Sequence, residues 1–445
     1  MAQMFFDLIY SFGNCLNCFP GSPTLKINSR SFKILRLLGE GGFSYVYLVQ
    51  DTATAELFAL KKIRCPFGAE SVQQAMREVE AYRNFAHVPG IIHAVDYCVA
   101  SERGGDGDAR TVYVLLPYYR RGNLQDIINA NLVNHTRFPE RELMRLFLGT
   151  CRALRHMHHY RGPPAARSER MEAGNDPQGG GEDGVGGGPA RKTKRNRAGA
   201  AADADDEREQ ARPLMVDEEV AAPGERRSYA HRDIKPVSTN EGALRAHTQR
   251  TGNIMIDDSG SAPILMDLGS VAESPIAITS KSQAIATQDT AAEHSTMPYR
   301  APELFDVQTG AVIDTKVDVW SLGCTLYACL VGKSPFEARS DETGGNLSLC
   351  ITGGDWRFPD EGGPGGIRRQ NTNKGKNVAA ADGGGGGGSG GAGGSGSGAD
   401  GVISEPIKQV VRRCLSVEPA ERPDIDELID MVERVIEELP DDDGP

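Results

Sequence analysis

Two long stretches of this chain, residues 161–227 and 361–401, are dominated by Gly, Ala, Asp, Glu, Arg and Pro, and they limit what the rest can fold into. Segments of that composition cannot bury enough apolar surface to offset the entropy lost on ordering them. Residues 237–251 are polar and show no hydrophobic period. Length alone would allow two or three average domains, but setting aside these inserts and the first 30 residues leaves roughly 290 of the 445 residues. One folded unit with inserts is expected.

Bulk properties narrow the partners. A net charge of −12 and a pI near 5.4 oppose nucleic acid as a partner, because phosphate backbones need a basic face. A basic run, Arg191-Lys-Thr-Lys-Arg-Asn-Arg197, reads as a solvated charge block, with a nuclear signal or lipid-surface patch as alternatives. The nine cysteines are odd in number and scattered, with no paired Cys-x-x-Cys zinc pattern, so a reducing compartment fits. No run reaches the roughly 18 apolar residues of a spanning helix. The first 19 residues crowd Met4, Phe5, Phe6, Leu8, Ile9 and Phe12 around Cys15 and Cys18 without a basic leader, so a secretory signal is not expected. A helix packed on the folded unit and a redox or metal-binding Cys-x-x-Cys are two readings. The preferred one is a membrane anchor, with acyl chains on Cys15 and Cys18, since stable anchoring takes two signals. Ala2 excludes N-myristoylation.

Along the folding residues, 31–38 alternate as a strand and run into Gly39-Glu-Gly-Gly-Phe-Ser-Tyr-Val46. A dinucleotide-binding reading would need a helix directly after this loop, whereas 45–50 continue as a strand; no P-loop pattern exists. Phe58-Ala-Leu-Lys61 stands a strand's length on, with Phe58 and Leu60 on one face and Ala59 and Lys61 on the other. Residues 72–85 are helical by period and carry Glu78, with Glu80 as a competitor. Residues 111–117 form an apolar strand before Tyr118-Tyr-Arg-Arg-Gly122, and 141–159 a long amphipathic helix. Then come Tyr229-Ala-His-Arg-Asp-Ile-Lys-Pro236, Gly252-Asn-Ile-Met-Ile-Asp257 and Ile264-Leu-Met-Asp-Leu-Gly269. Tyr299-Arg-Ala-Pro-Glu303, Asp318-Val-Trp-Ser-Leu-Gly323 and Glu421-Arg-Pro-Asp424 follow.

In this order the motifs resemble those of the protein kinases, which implies an α+β bilobal fold with a β-rich N-lobe (31–117) and a helical C-lobe (118–440). The resemblance implies ATP and Mg²⁺, with Mn²⁺ possible, as cofactors and protein hydroxyls as substrate. Gly39, Glu40, Gly41, Gly42, Phe43, Ser44 and Val46 would enclose the nucleotide, Lys61 would hold its phosphates and Glu78 would hold Lys61. Leu116 would be the gatekeeper, and the Pro117 carbonyl and Tyr119 N–H would meet the adenine. Asp233 would accept the substrate's proton and Lys235 steady the γ-phosphate, in the His-Arg-Asp-x-Lys form typical of Ser/Thr kinases. Asn253 and Asp267 would hold the metal, Arg422 would pair with Glu303, and Ser295 and Thr296 are phosphorylation candidates. A finer resemblance is to the Numb-associated kinases, nearest their myristoylated and palmitoylated branch, whose lipidated members sit on Golgi or vacuolar membranes. It rests on 38–46, Leu265-Met-Asp-Leu-Gly-Ser270, Tyr299-Arg-Ala-Pro-Glu-Leu-Phe305 and Val319-Trp-Ser-Leu-Gly-Cys324, and implies an extra helix near 305–314. Residues 1–30 would then anchor the protein to the cytoplasmic face of an internal membrane.

One departure stands out. The metal-binding Asn should follow Asp233 by five residues, yet position 238 is Ser and Asn253 comes only after 237–251. That stretch begins Val-Ser, which one codon choice writes as a splice-donor-like sequence, so a retained intron is expected. An extruded loop and Asn240 as the ligand are the alternatives, and a catalytically impaired scaffold is the alternative function.

Overall fold

The computed structural model describes residues 24–101, 109–161, 226–236, 252–361 and 403–440. Cys15, Cys18, Asn240 and nearly all of the three inserts lie outside them. The first lobe is an antiparallel sheet of β1 (Thr24–Ile27), β2 (Arg30–Glu40), β3 (Ser44–Asp51), β4 (Leu57–Cys65), β5 (Asp96–Ser101) and β6 (Arg110–Pro117), in spatial order β1-β2-β3-β4-β6-β5. Both faces of this sheet are apolar, which is why 111–117 read as a continuous run. Phe58, Leu60 and Leu115 join Ile27, Phe32 and Val49 in a cluster on one face. Ala59, Val112, Val114 and Leu116 belong to the main core, with Val79 and Tyr82 of helix α1 (Ala69–Asn84).

The second lobe is helical: α2 (Leu124–Asn134), α3 (Glu140–His158), α4 (Lys281–His294), α5 (Lys316–Val331), α6 (Pro335–Thr343), α7 (Leu347–Thr352), α8 (Glu405–Cys414) and α9 (Ile425–Glu438). Asn123 and Asp126 start α2 with reciprocal bonds, Asp126 N–H to Asn123 Oδ1 at 3.0 Å and Asn123 N–H to Asp126 Oδ2 at 2.9 Å. Helix α5 is buried from Val317 to Cys329, an all-round apolar helix that forms the lobe's axis. Its Gly323 lets α8 approach: a Cβ there would lie 2.6 Å from the Cys414 Cβ. Trp320 stacks on Phe336, their ring planes 4° apart. No described helix is long and apolar enough to cross a membrane.

Short strands complete the lobe and place the loops. β7 (Tyr160–Arg161) pairs with β8 (Arg226–Arg227), so the chain enters and leaves residues 162–225 at one spot. β9 (Tyr229–Ala230) pairs with β12 (Ala272–Glu273), and β10 (Ile254–Ile256) with β11 (Pro263–Leu265). β13 (Ile276–Ala277) pairs with β14 (Val312–Ile313).

One expectation fails. Residues 305–314 hold no α-helix, and the helix that lies near this segment, α4, stands before Tyr299 rather than after Glu303. Ser280 caps it, accepting from Gln283 N–H at 3.2 Å, and its alanines favour helix. Ala284 is its one buried residue, so it has no apolar stripe for a periodicity reading to find.

Candidate active site

The cleft between the lobes is built from strand register. Val46 on β3 lies opposite Lys61 on β4, and Gly39 on β2 lies opposite Val46, so loop, Val46 and Lys61 share one face. The loop closes through Gly41 N–H to Ser44 O at 2.7 Å. A Cβ on Gly42 would meet nothing within 4 Å, Glu40 is exposed, and Phe43 packs edge-on to Phe67. Pro117 ends β6 opposite Phe58, and half-buried Tyr119 leads towards α2. Burial holds the Tyr119 phenol above its ordinary pKa, helped by the charges of Asp258 and Asp257.

Lys61 is the centre of this half. Its Nζ donates to Glu78 Oε1 at 2.6 Å and to Asp267 Oδ1 at 2.8 Å, and the Tyr82 hydroxyl donates to Glu78 Oε1 at 2.7 Å. Burial alone would lower the Lys61 pKa, but the charges of Asp267 and Glu78 outweigh it and raise it. Lys61 in turn holds Asp267 well below the usual carboxylate range. Glu78, not Glu80, makes this ion pair. Asp267 has φ 54° and Arg232 φ 69°, left-handed values that non-glycine residues rarely adopt and that concentrate at functional sites.

Asp233 anchors the other half. Its Oδ1 accepts from Thr296 N–H at 3.0 Å and from the Thr296 hydroxyl at 2.8 Å, while its Oδ2 accepts from Lys235 Nζ and from Asn253 Nδ2 at 2.9 Å. Asn253 Nδ2 also donates to Asp233 O at 2.7 Å, and Asn253 N–H to Lys235 O at 3.2 Å. The chain therefore resumes beside the point where it left. At Gly252 a Cβ would lie 2.0 Å from Pro236 O, so this junction admits glycine only. Both phosphorylation candidates are already engaged. Lys235 Nζ donates to Thr296 Oγ1; Ser295 Oγ donates to Ala291 O at 2.6 Å and accepts from Arg300 Nε at 2.8 Å. A phosphate on Thr296 would set a dianion against Asp233; unmodified, the Thr296 hydroxyl joins Asp233 and Lys235 in one hydrogen-bonded cluster.

Two buried pairs hold these loops. Asp318, fully buried at the start of α5, accepts from His231 N–H at 2.8 Å, Arg232 N–H at 2.7 Å and His158 Nε2 at 2.9 Å. Burial would raise its pKa, but the His158 hydrogen bond and neighbouring imidazoles prevail and lower it. His231 Nδ1 accepts from Asp233 N–H at 3.3 Å, which places the ring proton on Nε2, donating to Met266 O at 2.9 Å. That links the catalytic loop to the residue before Asp267. The sequence reading gave Asp318 no role beyond starting a helix. Arg422 and Glu303 form a two-pronged pair at 2.7 and 2.8 Å, with the guanidinium over Trp320 at 4.9 Å.

The donor set suits a hard cation. Asp267 offers a carboxylate whose side chain is 46% exposed, and Asn253 turns its amide nitrogen to Asp233, leaving the amide oxygen. No group of three or more His, Cys, Asp and Glu arranged to hold a metal ion occurs among the described residues, so the protein oxygens would be completed by phosphate and water.

A family model described as the protein kinase domain matches residues 32–161 and 248–432. The matched ranges stop before His231-Arg-Asp233 and resume after it, so the placement of that loop rests on the contacts above. The serine/threonine-protein kinase ENV7 of Saccharomyces cerevisiae is 30% identical over 423 residues, covering 92% of this chain and 93% of that protein. The serine/threonine-protein kinase ppk13 of Schizosaccharomyces pombe is 31% identical over 338 residues, 75% of this chain and 81% of its own. Human serine/threonine-protein kinase 16 is 31% identical over 334 residues, with coverages of 75% and 80%.

Proposed function

The chain belongs to the protein kinase family and is a serine/threonine protein kinase, and on that premise we propose that it phosphorylates proteins at the surface of an internal membrane, in trafficking or membrane organisation. The observation that carries the catalytic reading is the joining of two clusters across one cleft: Lys61 with Glu78 and Asp267, and Asp233 with Lys235, Asn253 and Thr296.

The family uses ATP and a divalent ion, which supply the phosphoryl group and part of the charge neutralisation. Mg²⁺ fits the oxygen donors Asp267 and Asn253, with Mn²⁺ as a substitute. Lys61, kept charged by Glu78 and Asp267, binds the α and β phosphates under the loop of Gly39–Val46. Asp233 orients the substrate hydroxyl and takes its proton, and Lys235 faces the transferring oxygens. Most of the rate advantage comes from positioning and fixed charge, since phosphoryl transfer asks little covalent chemistry of the protein. The Asn253 contacts with Asp233 support this enzyme reading over a scaffold, because they rejoin the loop across 237–251.

The membrane part rests on sequence: the apolar first 19 residues with Cys15 and Cys18 as acylation sites, and the motifs resembling the palmitoylated Numb-associated branch. Purified full-length protein incubated with radiolabelled ATP and Mg²⁺ should label itself or a generic protein substrate on Ser and Thr, and Asp233→Asn should abolish the label. Label equal in parent and variant overturns the assignment of Asp233; no label in either favours the scaffold.

A further inference from the structure

The loop of Gly39–Val46 is fastened at its tip by residues outside it. The ring of Phe43 stands edge-on to that of Phe67, with centroids 6.3 Å apart and planes at 70°. At that spacing and angle the edge of one aromatic ring attracts the face of the other. Arg64 adds two bonds to the same tip: its Nη2 donates to Gly42 O at 3.3 Å and its backbone N–H to Phe43 O at 2.8 Å. The Arg64 guanidinium also lies 5.1 Å from the centre of the Tyr45 ring, on the strand that leaves the loop. The tip is thereby tied to the end of β4 and to the turn that follows it.

Phe67 is itself held in place. Its N–H donates to Ser71 Oγ at 3.0 Å, and Gly68, with φ 66°, turns the chain directly into α1. Phe67 is nonetheless 74% exposed and Phe43 51%, so neither belongs to the core. Exposed apolar residues that stand singly need no explanation. These two meet across separate elements, and one of them is on the nucleotide loop. Their contact adds little to the core; what it does is restrain the loop.

We propose that Phe67 is a positioning residue for ATP: through Phe43 it holds down the tip of the loop, so that the backbone of Gly39–Val46 is set for the phosphates before the nucleotide arrives. This rests on the kinase reading and adds to it a residue that lies outside the motifs. A loop free to swing spends part of its time open, and the apparent affinity falls with the fraction of molecules that are competent to bind. At saturating ATP the loop is closed in every molecule, so kcat keeps the parent's value. Phe67 therefore acts on the affinity for ATP and not on the rate of transfer.

Calorimetric titration of the full-length protein with MgATP, beside steady-state kinetics, tests it. Phe67→Ala should raise both Kd and KM for ATP about three- to tenfold, with kcat, the KM for protein substrate and the Tm at the parent's values. Phe67→Tyr, which restores the ring, should restore the parent's Kd. In a Phe43→Ala background, Phe67→Ala should change Kd no further, because the two rings act as one contact. An unchanged Kd in Phe67→Ala overturns the proposal. A fall in kcat at constant Kd also overturns it, by placing the effect on α1 and Glu78 instead of the loop. A full further loss in the Phe43→Ala background overturns the route through Phe43. Because Kd is read at equilibrium, a parent that binds ATP without transferring phosphate counts against the kinase reading alone, and a parent that binds no ATP overturns both.

Discussion

At the residue scale, adjacent lysines separate function from surface. Lys61 and Lys62 follow each other on β4, and the period of two sends them to opposite faces of the sheet. Lys61→Met should lower kcat by roughly 100-fold or more, the usual loss when one preorganised charge contact is removed, with the fold retained by circular dichroism. Lys62→Met should turn over ATP like the parent; the reverse pattern would move the nucleotide site. The Lys61–Asp267 pair brings no pH dependence of its own near neutrality. Asp267 has a lowered pKa, so its contribution is present above the ordinary carboxylate value and fades only as pH falls through the folded value. Lys61 has a raised pKa, so its contribution is complete below the ordinary lysine value and fades only as pH rises through the folded one. Asp318 behaves like Asp267 in sign, but fully buried. Its removal as Asp318→Ala should cost about 3–5 kcal/mol at pH 7, by leaving His158 and two backbone donors without their acceptor. The gap between parent and variant in urea unfolding should narrow as pH drops below ~4, near the unfolded carboxylate pKa. A gap constant down to pH 3 would show that Asp318 does not titrate as described.

At the element scale, the catalytic loop is one piece of structure written in two pieces of sequence. Pro236 and Gly252 touch, and Asn253 N–H reaches Lys235 O, so the loop's geometry is complete without 237–251. Deleting those residues joins Pro236 to Gly252. The deleted form should keep at least the full-length kcat, and transcripts that splice the segment out should be found by sequencing. Loss of activity on deletion, together with the segment in every transcript, would make it a working part of the protein. Displacements of even ~1 Å can cost ~100-fold in rate, so the comparison of kcat values is sensitive to strain at this junction. Helix α4 is a second device of this kind. Arg300 Nη2 donates to Ala292 O at 3.3 Å and Ser295 O at 3.0 Å, tying the helix's end to the segment that carries Thr296. It positions the segment by its end contacts, not by a buried face.

At the scale of the whole molecule, the two lobes share the larger of the two described core clusters, which runs from Leu38 and Val79 to Trp320 and Val432. The proposed membrane anchor lies in the residues that precede β1. A Cys15→Ser/Cys18→Ser variant should move from the membrane to the soluble fraction, and either single change should weaken retention, because one acyl chain binds only marginally. Unchanged retention of the double variant would place the anchor in the apolar residues around them.

The sequence by itself determined the elements whose patterns are local. The alternation that put Lys61 on the face opposite Phe58's, the loop of Gly39–Val46, the helix that carries Glu78 and Glu80, and the composition of the inserts were legible, because strand and helix periods and chain entropy act over a few residues. Only the tertiary structure decided what depends on residues far apart in sequence meeting. Thr296 and Asp233 are 63 residues apart, and His158 and Asp318 are 160 apart. No period links such positions, so neither the Thr296–Asp233 contact nor the hold of Asp318 on His158 shows in the linear pattern. Helix α4 escaped for a related reason: with one buried residue it leaves no periodic trace, and its place is set by Ser280, Gln283 and Arg300. The chain's motifs named the parts; the buried carboxylates and the core around α5 set them at bonding distance, which a linear pattern cannot encode.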